Sequence, residues 1–458
     1  MRRVEPQMLE GWGMASRARS LVYRPLDAGE VAEAITDAGR RGLTVTARGG
    51  GLSYGDAALN QGGAVLDVRA LDRILDFDPH RGIVRAEAGV TIEQLWKAAL
   101  PHGWWPPVVP GTMKATLGGC VAMNVHGKNH ATAGAIGRHV RSLSLVTGEG
   151  QPRVLERGVI AEAEAGLWSM SLADVLGAQG LTGTVTEVTL GLRRVHSGYL
   201  EVEAQASRSL AETFEFLDRG AVEADYTVAW VDCVGRSAGR GVLHHAWYLP
   251  PGHPQAEQGM DLDAQRLPPR VAGILPRRHA WRALRPLTNR LGIGVLNSGR
   301  YWSGRARRTR RYVQTHAAFH FLLDYVPDWK RAYGADGLMQ YQLFLPADAA
   351  RAGFAEALDQ QRSLGVPSYL GVMKRHIAED AAASYAVDGY SLALDFPVGR
   401  GDRYSRLMRL CRALDRIVDD HGGRIYAAKD AVSVGVLPER RDARFSSNLV
   451  RRWERGSR

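Results

Sequence analysis

Between Pro110 and His130 the chain reads PGTMKATLGGCVAMNVHGKNH, rich in Gly and small residues, with charge confined to Lys114 and Lys128. Its apolar residues follow neither the helical nor the strand period, so neither an amphipathic helix nor an alternating strand is expected. Gly111, Gly118, Gly119 and Gly127 omit Cβ atoms where the backbone must pass close to something flat or bulky. Two readings meet that demand: the wall and floor of a large cofactor site, or a buried Gly-rich hairpin.

With 458 residues the chain exceeds one ordinary core, and two domains are expected. Its 45% hydrophobic and 23% charged residues are those of a soluble globular protein. No apolar run is long enough to span a bilayer. The opening MRRVEPQMLEGWG has two arginines but no apolar core, so no secretory signal is expected. Cys120, Cys233 and Cys411 are odd in number and far apart. They argue against a disulfide framework or a zinc site, and for a reducing, cytoplasmic setting without a bound metal. The 59 Lys+Arg against 48 Asp+Glu leave a formal charge of +11. That excess suits nucleic acid, anionic lipid, a phosphorylated substrate or a solvated Arg-rich surface.

Asp27 to Gly42 reads as a helix. Asp27 and Glu30 form a capping-box-like start, Val31, Ala34, Ile35 and Ala38 make an apolar face, and Gly42 stops it. A β-rich run over 43–47 leads into Arg48-Gly-Gly-Gly-Leu-Ser-Tyr-Gly-Asp56. A glycine loop straight after a strand lets successive backbone N–H groups converge on a pyrophosphate, and Ser53 adds a hydroxyl donor. It is not a Rossmann fingerprint, because a strand (64–68) follows rather than a helix. A further strand over 82–88, a helix over 92–100 capped by Thr91 with Gln94, and a hairpin of 142–147 with 153–155 come next. A third glycine loop, Gly177-Ala-Gln-Gly-Leu-Thr-Gly183, precedes an alternating strand over 184–192. Three such loops favour one cofactor over three unrelated turns, and the strand-rich order argues for α+β rather than doubly wound α/β. Residues 196–250 and 337–346 alternate as strands, whereas 349–364 and 404–420 read as helices. Residues 251–311 are Pro/Gly-rich and then dense in arginine, from Arg277, Arg278, Arg282 and Arg285 to Arg300, Arg305, Arg307, Arg308, Arg310 and Arg311. They read as a mobile lid or insertion.

ARGGGLSYGD, PGT with TLGG, MNVHGKNH and GLTG, in this order and spacing, resemble the FAD-binding domain of the vanillyl-alcohol-oxidase-type (PCMH-type) flavoproteins. The resemblance extends to the branch that contains decaprenylphosphoryl-β-D-ribose oxidase. It does so through LEGWG, AWVDC (229–233), WKRAYGADGLMQYQ (329–342), LDFP (394–397) and GGRIYAAKD (422–430). HGKNH and YAAKD are its specific motifs. It implies an α+β, two-domain PCMH-type fold, with an FAD-binding domain over 1–195 and a returning segment over 423–458. Between them lies a substrate domain on an antiparallel sheet, 196–422, carrying the Arg-rich insertion at 251–311.

The resemblance places FAD against Ala47, Arg48, Gly49, Gly50, Gly51, Leu52, Ser53, Tyr54, Gly55 and Asp56. From the second stretch it adds Gly111, Thr112, Thr116, Leu117, Gly118, Gly119, Met123, Asn124, Val125 and His126, and further on Gly180, Gly183, Val185 and Tyr426. Covalent relatives carry a His where this chain has Leu52, so the FAD is expected to be dissociable. Oxidising an alcohol carbon needs a hydride acceptor, a group for the hydroxyl proton, and positive charge near the reduced acceptor. The resemblance implies FAD for the first. It makes His126 a proton acceptor or substrate-orienting group, and Lys429 the charge. It sets Tyr54, Trp230, Gln340, Gln342, Lys374 and Ser391, with Lys429, around the substrate. Gln340 and Gln342 are two apart and share a strand face, where paired amides can bind sugar hydroxyls; Lys374 suits a phosphate. Read without the resemblance, the His is a structural hydrogen bond, the Lys a surface charge, and Gln and Tyr ordinary sheet side chains. Ala393 stands where close relatives often have Cys, and Ser391 replaces a longer polar residue, which leaves the exact sugar open.

The implied activity is oxidation of a secondary CH–OH of a sugar, on a polyprenyl-phosphate-linked pentose in an epimerisation pathway. It implies a short-chain ketoreductase as partner and peripheral contact with the inner membrane face. The alternative is an aldonolactone or alditol oxidase on a soluble sugar. A third class is a basic nucleic-acid binder that uses Arg440 to Arg458 and the 277–311 cluster. Aromatics interleave with its arginines, but no recognised module is present and no nucleic acid is expected.

Overall fold

The computed structural model describes residues 4–161, 169–235, 238–271, 273–306, 310–381, 383–429 and 432–456. Arg307, Arg308, Asp430 and Arg458 lie outside the described residues. Strands β1 (Glu5–Glu10), β2 (Arg17–Tyr23), β3 (Val45–Arg48) and β4 (Ala64–Asp67) form a sheet in the order β1-β2-β4-β3. β4 runs parallel to both β2 and β3. β2 and β3 therefore share a direction and need a crossover, which helix α1 (Ala28–Arg40) supplies. Asp27 caps α1 by accepting from the Glu30 N–H at 2.8 Å. Its stripe of Val31, Ala34, Ile35 and Ala38 is buried, and Gly42 leaves the helix at φ +68°.

The second sheet is antiparallel: β5 (Ile74–Asp78), β6 (Ile83–Glu87), β7 (Val140–Val146), β8 (Pro152–Glu156) and β9 (Thr184–Gly191), in the order β5-β6-β9-β7-β8. Helix α2 (Ile92–Ala99) starts on the Thr91–Gln94 capping box and buries Leu95 and Trp96 in the same core as Trp105 and Leu117. The glycine stretch, where an amphipathic helix is not expected, contains a short and largely buried one of six residues, α3 (Leu117–Ala122). Gly118 permits it, because a Cβ there would lie 2.7 Å from the Ala88 Cβ.

The third sheet has eight strands, all antiparallel: β10 (Tyr199–Ser207), β11 (Tyr226–Val231), β12 (Gly241–Tyr248), β13 (Arg310–Thr315), β14 (Leu338–Pro346), β15 (Leu370–His376), β16 (Gly389–Pro397) and β17 (Arg424–Ile425). Their order is β13-β10-β12-β11-β15-β16-β14-β17. Helix α4 (Leu210–Glu223) interrupts the region expected to be continuous strand. Thr213, Phe214, Leu217 and Gly220 bury at helical spacing, and Ser209 caps the start. Helix α5 (Arg290–Ala306) lies in the Arg-rich insertion. Helices α6 (Ala350–Ser363) and α7 (Asp402–Asp420) cover one face of the sheet, so that Met339, Tyr341 and Leu343 pack with Phe354 and Leu414. The even residues of β14 therefore point the other way.

The chain end returns to the first sheet. The Val45 N–H donates to the Arg444 carbonyl at 2.8 Å, and Arg452 reaches Asp56 at 2.9 Å. Leu449, Val450 and Trp453 of helix α8 (Asn448–Gly456) join the core of Val31 and Ile35.

Candidate active site

Where the glycine loops of the first two sheets meet the open face of the third, they enclose a cavity of about 600 Å³. That volume is typical of pockets that enclose a cofactor or drug-sized ligand. One wall is the loop after β3, Gly49 to Tyr54; another is Thr116, Gly118, Gly119 and Met123 of α3 and its flanks; Gly180, Gly183 and Val185 close the end. The sheet contributes Trp230, Gln340, Gln342 and Lys374, and the returning chain contributes Tyr426 and Lys429. Tyr54 and Ala428 are tied by an N–H to carbonyl bond of 2.9 Å, which joins the first loop to the last. Ala47, Gly111, Thr112, Val125 and His126 also line the cavity.

The polar groups of this wall fit an FAD. The N–H groups of Gly50, Gly51, Leu52 and Ser53 find no acceptor among the described residues. Gly51 turns the loop at φ +64°, and successive free N–H groups of this kind form an anion nest. Thr116 Oγ1 and Gln179 Oε1 are buried against the cavity with no partner among the described residues. Such orphaned groups cost stability unless a ligand satisfies them. Gln179 also holds φ +59°, a strained conformation for a non-glycine residue and one that clusters at functional sites.

Six of the expected residues stand back from the cavity. Arg48 binds the carbonyls of Ala58 and Glu10, and Asp56 pairs with Arg452. The Gly55 carbonyl lies against Gly11, where a Cβ would meet it at 2.2 Å. Leu117 is core, and Asn124 accepts from the Gly137 N–H. Ser391 sits behind Gln342, 3.3 Å from its amide nitrogen.

The polar end of the cavity is cationic. Its charged lining among the described residues is Lys128, Arg300, Lys374 and Lys429, with no carboxylate among them. Burial pulls Lys429 down to about 8, against the opposing charge of Asp395. Burial and the neighbouring Lys429 pull Lys374 down to about 7. Lys128, which donates to the Phe319 carbonyl, falls to about 7 through burial and then through Lys374 and Arg300. Behind them Asp395 accepts from the Gln340 amide, and burial pushes its carboxyl up to about 7. Lys429 Nζ sits 4.4 Å from the centre of the Tyr54 ring.

His126 is held between two partners. The Gln342 amide nitrogen lies 3.1 Å from its Nε2, and Lys374 Nζ lies 3.2 Å from its Nδ1. With Gln342 donating to Nε2, the ring proton belongs on Nδ1 and a neutral Lys374 accepts it. Protonating Lys374 makes it the donor, which moves the ring proton to Nε2 and requires the Gln342 amide to turn its oxygen toward it. Burial, followed by Lys374, His130 and Lys429, keeps the imidazole uncharged well below its ordinary pKa. Lys128, Asp395 and Gln179 were not read from sequence as site residues, although each lies inside a quoted motif: HGKNH, LDFP and GAQG. Arg300 was visible only as one lid arginine among many.

Glycine loops with unpaired N–H groups around one deep cavity define an FAD-dependent oxidoreductase, and the FAD binding domain family matches residues 20–156. Decaprenylphosphoryl-beta-D-ribose oxidase of Mycolicibacterium smegmatis is 36% identical over 434 residues, 92% of this chain and 88% of its own. An uncharacterized protein of Streptomyces coelicolor is 29% identical over 372 residues, 78% of this chain and 92% of its own. L-gulono-1,4-lactone dehydrogenase of Mycobacterium tuberculosis is 24% identical over 424 residues, 90% and 87% of the two chains. The chain belongs to the PCMH-type flavoprotein family that includes decaprenylphosphoryl-beta-D-ribose oxidase.

Proposed function

We propose that the chain oxidises a secondary CH–OH of a pentose carried on a polyprenyl phosphate. The observation that carries this reading is the cluster of cations that lines the cavity among the described residues, Lys128, Arg300, Lys374 and Lys429. The glycine loop already offers N–H donors to the pyrophosphate of FAD. The lysines and Arg300 are a separate cationic set, and a substrate phosphate would complement it. The likeness to decaprenylphosphoryl-beta-D-ribose oxidase supports the same choice.

When bound, FAD supplies the hydride acceptor. Lys429 takes the hydroxyl proton. Its Nζ has no hydrogen-bond partner among the described residues, and a pKa of about 8 leaves part of it as free amine near neutrality. Once protonated, it is also the positive charge that the oxidation calls for. His126 positions Lys374, since both of its ring nitrogens are engaged. Gln340 and Gln342 hold sugar hydroxyls, and Lys374 and Lys128 face the phosphate. FAD is dissociable in this reading, because Leu52 offers no nucleophile in the first loop. Residues 1–195 and 423–458 make up the FAD-binding domain, and 196–422 the substrate domain; the bonds of Val45 with Arg444 and of Tyr54 with Ala428 support that division. The ketone product needs a reductase to complete an epimerisation, which makes a short-chain ketoreductase the expected partner. The protein works as a peripheral protein at the inner membrane face; no helix among the described residues is long and apolar enough to cross a membrane.

The likeness to L-gulono-1,4-lactone dehydrogenase favours a second reading, oxidation of a soluble aldonolactone. The C-terminal arginines lend the nucleic-acid reading little, since Arg451 and Arg452 bind Asn60 and Asp56 within the fold. Anaerobic flavin bleaching decides between the first two. Polyprenylphosphoryl pentose should bleach the flavin and free aldoses should not; bleaching by a lactone alone would transfer the assignment to the second.

A further inference from the structure

Helix α5 has its polarity inside out. Toward the protein, Asn297 donates to Asp232 Oδ1 at 2.8 Å, and at the edge of that face the half-buried Ser298 Oγ accepts from Arg240 at 2.9 Å. The same Arg240 lies 4.6 Å from the centre of the buried Tyr301 ring. Toward solvent stand Leu291, Val295 and Trp302, which are 83%, 71% and 57% exposed. On a helix of 3.6 residues per turn these three fall within roughly 40° of one another, so they form a single stripe. A surface helix normally buries its apolar face and wets its polar one. A stripe turned the other way marks a non-aqueous partner.

The charge around the stripe says which partner. From Ala264 to Leu323 the sequence holds 13 arginines and no Asp or Glu. Arg278, Arg282, Arg285, Arg290 and Arg305 are all exposed. Exposed apolar residues within an arginine-rich segment free of acidic residues, with a tryptophan among them, suit the phosphate and acyl boundary of an anionic bilayer. The helix has 17 residues, and none among the described ones is long and apolar enough to span, so it would lie in the plane of the surface. The same helix carries Arg300, which lines the ligand cavity and sits 4.8 Å from the centre of the Trp230 ring.

We propose that α5 is an in-plane anchor that docks the protein on anionic phospholipid and holds the cavity mouth at the membrane surface. The inference rests on the proposed function only in its purpose, delivery of a lipid-linked substrate past Arg300. The test is sedimentation of the full FAD-loaded chain with vesicles of phosphatidylglycerol and phosphatidylcholine in equal parts, and with phosphatidylcholine alone. The chain should pellet with the mixed vesicles, and raised salt should weaken that binding. The triple variant Leu291→Ser/Val295→Ser/Trp302→Ser should lose about tenfold or more of it by forfeiting the buried apolar area. Val222→Ser, which removes an 87% exposed apolar side chain elsewhere, should bind as the parent does. Retained FAD, and bleaching by a short-prenyl phosphoryl pentose in free solution, would show that the triple variant is folded. A parent that stays in the supernatant, or a triple variant that pellets equally, overturns the anchor. So does a stripe that closes a dimer, seen as a parent dimer that the triple variant splits without vesicle binding. Vesicle binding by a protein that no sugar bleaches would support the anchor and remove the proposed activity instead.

Discussion

Lys429 carries two demands that its environment makes compatible. Burial lowers its pKa to about 8, so the amine can accept a proton and then stand as the cation beside the product. Lys429→Ala should slow substrate-driven flavin reduction by about a hundredfold or more, the scale of a lost general base, while FAD content is unchanged. Lys429→Arg separates the roles, because a guanidinium keeps the charge and does not give up its proton. Its reduction rate should fall with that of Lys429→Ala; a rate near the parent's would make Lys429 an electrostatic group only. In the parent the rate should climb as pH rises through about 8 and level above it, since the free amine is the active form. Stopped-flow reduction across pH 6 to 10 reads this directly (roughly the span over which the amine titrates), and a flat profile would count against a lysine base.

At the scale of the element, α3 and β14 set the geometry. Gly118→Val puts a side chain where even a Cβ would lie 2.7 Å from the Ala88 Cβ, so α3 must move off the end of β6. The cofactor wall moves with it, although the clash is with protein and not with FAD itself. The variant should purify with little flavin; full occupancy would contradict this placement of α3. By contrast, Leu414→Ala on α7 empties a site remote from the cavity. It should cost about 2–5 kcal/mol in denaturant unfolding and leave FAD content intact. The sequence made α1 and α2 legible because their caps and stripes are local signals. It hid α4, whose apolar residues at 214, 216 and 217 are broken by Glu212, Glu215 and Asp218 in a way that also passes for alternation. Gln340 and Gln342 were legible as one face of β14, but that the face meets a cavity depends on α6 and α7 covering the other. Asp395 escaped notice because its partner Gln340 is 55 positions away in sequence.

For the whole molecule, the cavity is a concentration of positive charge that folding shields from water. Lys128, Lys374 and Lys429 have folded pKa values of about 7, 7 and 8 against an ordinary 10.5. Between about pH 7 and 8.5 the unfolded chain therefore holds more protons than the folded one, so the stability of the FAD-free protein should rise with pH across that window. Above it the buried thiols Cys120 and Cys233, both pushed upward by burial, work in the opposite direction. A melting temperature of flavin-depleted protein that falls between pH 7 and 8.5 would contradict this account. The most direct test of the central claim is anaerobic titration of the FAD-loaded chain with polyprenylphosphoryl pentose, followed by the flavin's visible absorbance. The account predicts stoichiometric bleaching in the parent and, at equal flavin content, bleaching slowed by about a hundredfold or more in Lys429→Ala. Bleaching by a free lactone with no response to the lipid-linked sugar, or equally fast bleaching in both proteins, would contradict it.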